Sequence, residues 1–185
     1  MRAATVSRAV LAALAAIVLS SLAPALAAPP PVQAAWVTRH VQFVYQSFTT
    51  RYTCGGLRSE IVHLLSRLGA RDLRVRAVGC VRAEGPEPSP GVDVTMQVLV
   101  PAAQAAAGSP RVAAHWRKVV LISGMADLNQ AGNCDLAEQF HRTFLPAFAT
   151  RKVVLHASCV PHQLDLGTYL SAQVLFADSP APGKR

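Results

Sequence analysis

The sequence is short of acid, of lysine and of aromatic rings. Only 10 of its 185 residues are Asp or Glu, and Phe, Tyr and Trp together make up 6%. Of the 18 basic residues 15 are Arg and 3 are Lys. Charged residues come to 15%, against about 25% in an ordinary soluble domain. Ten scattered acids give little material for paired-carboxylate chemistry. So few aromatics, with no stacking motif, exclude a nucleic-acid partner.

Missing motifs exclude more. No Cys-x-x-Cys is present, so a dithiol oxidoreductase is not expected. Nor is there Cys-x-x-Cys-His for covalent haem. The six histidines, His40, His63, His115, His141, His156 and His162, form neither His-x-x-x-His nor HExxH. Cys159-Val160-Pro161-His162 has metal-like spacing but supplies two ligands where zinc needs three or four. No Gly-x-Ser-x-Gly elbow marks a nucleophile, and no Walker or Gly-x-Gly-x-x-Gly loop follows Gly55-Gly56. These absences single out no catalytic residue and imply no metal or other cofactor. The glycine pair is expected to relieve crowding around a disulfide. His63 and His141 fall on the polar sides of helices, and His156 is expected half-buried in a strand.

What is present begins with residues 1–27. Arg2 and Arg8 form a positive start, Ala9 to Leu19 is an unbroken apolar run, and Ala25-Leu26-Ala27 supplies small residues for cleavage. This is the anatomy of a secretory signal peptide, cut near Ala27. Ser20, Ser21 and Pro24 stop the run short of the about 20 apolar residues a membrane span needs, so no stable span is expected after cleavage. The mature domain, 28–185, keeps 16 basic and all 10 acidic residues, a net charge of +6. Arg bias with abundant Ala, Pro and Gly fits a GC-rich bacterial genome. Export then means the periplasm or beyond.

Cys54, Cys80, Cys134 and Cys159 all lie in the exported part, where an oxidising compartment favours disulfides. The intervals from Cys54 to Cys80 and from Cys134 to Cys159 are similar in kind. Leu57, Ile61, Leu64, Leu65 and Leu68 form one helical face, with Gly69 as its stop. Leu73, Val75 and Ala77 then alternate with Arg74 and Arg76 as a half-buried strand. In the second interval Leu136, Phe140 and Phe144 repeat at four-residue steps before Pro146, and Val153 to Ala157 is strand-like. Ile61 matches Phe140, Leu65 matches Phe144, and Val75 matches Val154. Flanking strands are expected at Val37–Phe48, Val92–Val100, Trp116–Ser123 and Tyr169–Phe176.

The mature chain is therefore expected to be α+β, built from two β-α-β-β repeats at 36–100 and 112–177 with a linker at 101–111. Helices would cover one face of a sheet in the manner of a ferredoxin-like sandwich. A helix runs opposite to the strands beside it, so its start and the end of the next strand share an edge. Each helix begins at one cysteine and the following strand ends at another. Pairing is thus expected as Cys54–Cys80 and Cys134–Cys159.

Tyr52-Thr53-Cys54, the helix, Leu68-Gly69-Ala70-Arg71-Asp72-Leu73, Val75 and Gly79-Cys80 together resemble small exported proteins of GC-rich proteobacteria. The resemblance covers residues 43–80. It implies export and the Cys54–Cys80 unit, and carries over no catalytic residue.

The functional expectation is a non-enzymatic binding or scaffolding module of the cell envelope, acting on an envelope protein. One alternative is an anionic polymer held by Arg74 and Arg76 on the outer strand face, with Arg51 and Arg58 beside the helix start. Another is an enzyme with its site at the edge where both disulfides lie, which asks for a concave pocket holding His or acid pairs.

Overall fold

The computed structural model describes residues 30–47, 51–81, 85–123, 133–160 and 167–178. The expected export signal lies outside them. The described chain forms β1 (Val32–Val44), α1 (Cys54–Arg67), β2 (Arg71–Val78), β3 (Gly91–Pro101), β4 (Arg111–Ser123), α2 (Asn133–Thr143), β5 (Thr150–His156) and β6 (Tyr169–Ala177). No helix among these residues is long and apolar enough to cross a membrane.

All six strands belong to one antiparallel sheet in the order β2-β3-β1-β4-β6-β5. The fold is α+β, but the strands do not interleave as in a ferredoxin-like sheet. Strands β1 to β3 form one half and β4 to β6 the other. The halves meet where Val32–Ala35 pairs with Arg111–Ala114. β1 and β4 both begin earlier than hydropathy alone suggested, and the expected linker shrinks to Ala102–Pro110 with a 3-10 turn at Ala102–Gln104.

Alternation sorts each strand between two faces. Val37, Val41 and Phe43 of β1, Val92 to Val100 at even positions of β3, and Leu170, Ala172 and Val174 of β6 point to the helices. There they meet Leu57, Ile61, Leu64 and Leu65 of α1 and Leu136, Ala137, Phe140 and Phe144 of α2 in a single core. The expected match of Val75 with Val154 is off by one. Val75 pairs with Val94 and is buried, whereas its counterpart opposite Leu170 is Leu155; Val154 faces Ser171 on the other side, 39% exposed. A one-residue slip in a strand moves every side chain to the opposite face.

Each helix reaches across to the other half. Arg67 Nη1, ending α1, donates to the Leu121 carbonyl of β4 at 3.4 Å. Phe144, just past α2, packs edge-on against Phe43 of β1 with ring centroids 5.3 Å apart. In a flat sheet Phe43 and Leu121 would stand about 60 Å apart at about 3.3 Å per residue. A helix of 14 residues covers about 21 Å. The sheet therefore curls around the helical layer.

Both helix starts are stapled. Cys54 is the first residue of α1 and bonds Cys80, two residues past β2; Cys134 near the start of α2 bonds Cys159, three past β5. The expected pairing is the observed one. Thr53 caps α1, its Oγ1 accepting from Gly56 N at 2.9 Å. A Cβ at Gly56 would stand 3.0 Å from that oxygen, and one at Gly55 would meet nothing within 4 Å. Crowding at the glycine pair thus comes from the cap and not from the disulfide.

α1 stops in a Schellman turn. Gly69 N donates to Ser66 O, and Ala70 N to Leu65 O, with Gly69 at φ +82°. A Cβ there would press to 2.9 Å from the Phe176 ring. Gly69→Ala should therefore cost about 2 kcal/mol of stability, while Gly55→Ala should gain roughly 0.5–1 kcal/mol. Urea unfolding of the two variants checks both signs.

Candidate functional site: the helix-free sheet face

The face turned away from the helices is polar at its flanks and apolar at its seam. Ala34, Leu99, Ala114 and Leu175 are buried there beneath Trp36 and Trp116, the only two tryptophans of the chain. Trp36 stands opposite Leu99, and Trp116 opposite Leu175. Arg71 reaches from edge strand β2 across β3 and lays its Cζ 4.3 Å from the Trp36 ring centre. Arg151 does the same from β5 over Trp116, also at 4.3 Å. Each guanidinium carbon thereby sits over an indole ring at cation–π distance. Gln97 stands opposite Arg71 and Gln173 opposite Arg151, and Arg151 Nε donates to Gln173 Oε1 at 2.8 Å.

A bulge follows each stacked arginine. Between Arg71 and Arg74 the edge strand carries one residue more than β3, and between Arg151 and Val154 one more than β6. Asp72 at φ 47° and Lys152 at φ 50° take up the turn in left-handed backbone. Beside the first bulge lies an open recess of about 390 Å³, lined by Thr38, Asp72, Leu73, Arg74, Thr95 and Gln97 among others.

The face is basic. Among the described residues Arg71, Arg74, Arg76, Lys118 and Arg151 share it with Asp93 and, at the β2 bulge, Asp72. Arg76 Nη2 pairs with Asp93 Oδ2 at 3.1 Å. His40 Nδ1 lies 3.0 Å from Thr95 Oγ1, on β1 between Thr38 and Gln42.

The residues expected to gather for an anion do not all do so. Arg74 and Arg76 share the helix-free face. Arg58 sits on the helical side, where its Nε donates to the Val75 carbonyl at 2.8 Å. Arg51 is exposed ahead of α1. All four cysteines are in disulfides. His156 is exposed and not half-buried as expected. Sequence reasoning missed the two Trp–Arg stacks. A signal was available: Trp36 to Trp116 and Arg71 to Arg151 are both steps of 80 residues.

Polar groups also collect between the two helix starts. Ser47 Oγ donates to Asp135 Oδ2 at 2.6 Å, and Gln139 of α2 exchanges hydrogen bonds with the Gln46 backbone. Tyr45 and Tyr52 pack edge to face at 5.1 Å. This cluster is filled by Tyr45, which is 1% exposed, and it clamps β1 to α2. A second recess, of about 320 Å³ near Cys159, holds His156, with no carboxylate among the described residues that line it. Among the described residues no three His, Cys, Asp or Glu side chains come together as a metal site.

Burial pushes the Tyr45 phenol up to about 12, and the Asp135 charge adds to it. Tyr52 is raised as well, chiefly by burial. Tyr169 is lowered, first by the Ser171 hydroxyl and then by Lys118. A phenol raised in the folded state favours folding below the ordinary value of 10.0, and that contribution is lost as pH climbs toward 12. In a spectrophotometric titration one tyrosine should ionise ahead of the other two. Those two should ionise only as stability falls above pH 10, and all three titrating together near 10 would contradict the burial of Tyr45 and Tyr52.

No family model matches the chain, and neither curated proteins nor solved structures give a match.

Proposed function

We propose that this is an exported, non-enzymatic binding module of the cell envelope, and that its ligand is an anionic polymer lying along the helix-free face of the sheet. The observation that carries this is the charge of that face: among the described residues five cations stand against two acids, Asp93 and Asp72, with three of the arginines on edge strand β2. An extended row of cations on a surface suits a polymer with repeated negative charge. A protein partner resting on the face as a scaffold is less favoured, because only the narrow seam between the tryptophans is apolar. Two disulfides fit an oxidising, extracytoplasmic compartment.

On an anionic polysaccharide resin the protein should be retained at low salt. Arg74→Ser with Arg76→Ser should elute at clearly lower salt, since exposed charges contribute through screened attraction. Arg39→Ser with Arg142→Ser removes as much charge from the helical side and should change little. Equal shifts for the two pairs would mean that net charge alone causes retention.

The reading includes a tandem repeat. Its support is the recurrence of one arrangement in both halves: β-α-β-β order, a stapled helix start, a bulge with a left-handed residue, and an Arg laid over a Trp. The seam agrees. Gln33 faces Ala113, exactly 80 residues on, with Val32 opposite Ala114 and Ala34 opposite Val112. That is the pattern a two-fold axis through the Gln33–Ala113 pair would produce. Double-mutant cycles on Trp36 with Arg71 and on Trp116 with Arg151 should each give about 0.5–1 kcal/mol of coupling. Coupling in one half only would reduce the likeness to chain path.

A further inference from the structure

The recess beside the β2 bulge differs from the rest of the basic face, because it combines one free cation with several neutral hydrogen-bonding groups. We propose that it binds a single carboxylate-bearing sugar unit, with Arg74 as the carboxylate ligand; this rests on the anionic-polymer reading above and names the unit recognised. The volume of about 390 Å³ falls within the about 300–1,000 Å³ usual for small-molecule sites. Among the described residues no ion pair or hydrogen bond engages the Arg74 side chain, in contrast to Arg76 with its Asp93. A guanidinium presents two parallel N–H donors to a planar carboxylate.

The remaining lining defines the rest of the ligand. Thr38, Thr95 and Gln97 offer hydroxyl and amide groups for sugar hydroxyls. Asp72 also lines the recess, where it accepts from hydroxyls and repels a second negative charge. One cation opposed by one acid suits a monoanion and disfavours a phosphate monoester. Leu73 also lines the recess and gives apolar surface for ring carbons.

The second half sharpens the assignment. By pairing register Thr38, Arg74, Thr95 and Gln97 correspond to Lys118, Val154, Ser171 and Gln173. Valine occupies the arginine's place, so the carboxylate fork exists in one half only. The second half therefore contributes charge without the arginine that makes the fork.

Calorimetric titration of the full chain with trigalacturonate, with neutral galactotriose and with inorganic phosphate tests this. Trigalacturonate should bind, and the other two at least tenfold more weakly. Arg74→Gln should lose at least tenfold, and Arg74→Lys nearly as much, because a point charge lacks the fork. Arg39→Gln, on the helical side, and Val154→Ala should stay within twofold of the parent. Phosphate binding as well as trigalacturonate, or Arg39→Gln matching Arg74→Gln, would overturn the subsite. Either result leaves retention on the anionic resin intact, so it does not touch the broader reading. Absence of both trigalacturonate binding and resin retention would remove the two together.

Discussion

Four residues of β1 against four of β4 hold this protein together. Val32–Ala35 and Arg111–Ala114 provide the strand pairing between the halves, and the six-stranded sheet exists only because of it. The seam is made of small residues where it must be close. Ala34 and Ala114 are fully buried, and Trp36, Trp116, Leu99 and Leu175 close over them. On the other face the seam lets each helix finish over the opposite half, so that Phe43 meets Phe144 and Arg67 meets the Leu121 carbonyl. The single helical-side core is thus a consequence of the seam. Three strands and one short helix could not bury as much apolar surface alone.

Curling the sheet around the helices gives its two faces different tasks. The inner face takes nearly all the large apolar side chains, and the disulfides fasten the helix starts to the ends of β2 and β5. Closing loops of 26 and 25 residues limits the unfolded chain, an effect of about 3–4 kcal/mol each in the chain-entropy account. With stability supplied from inside, the outer face can carry like charges at close spacing. Laying Arg71 and Arg151 on the tryptophans keeps two of those charges fixed and covers indole that would otherwise stand open. It also guards the edges, since cations and bulges on β2 and β5 discourage pairing with another strand.

How much of this could be read in advance depended on whether the signal was local. The helical faces of Leu57 to Leu68 and Leu136 to Phe144 are repeats of three and four residues, and both were legible. The cysteine pairing was legible because helix starts and strand ends share an edge by geometry. β1 begins earlier than its hydropathy shows because Val32 to Ala35 follows a proline run and offers only a valine, a glutamine and two alanines, paired with residues 65 to 82 positions away. The match of Val75 with Val154 failed for a different reason. An ungapped count from Cys80 and Cys159 cannot see that the second strand end is one residue shorter. The Trp–Arg stacks join residues 35 apart across an intervening strand, which no periodicity reveals. Their recurrence after 80 residues was the trace left in the sequence.

The likeness of the halves makes their differences informative. The backbone features recur: both edge strands bulge at the same point and both place a non-glycine residue in left-handed backbone, at a cost of about 1–2 kcal/mol each. Neither packing nor the seam requires Arg74, because Val154 fills the same register position in the other half. Nor does solubility require three arginines on β2 when β5 carries Arg151 with Val154 and His156 beside it on that face. A charge that the fold does not use, set beside a recess that the bulge opens, is better explained by something outside the chain than by anything within it.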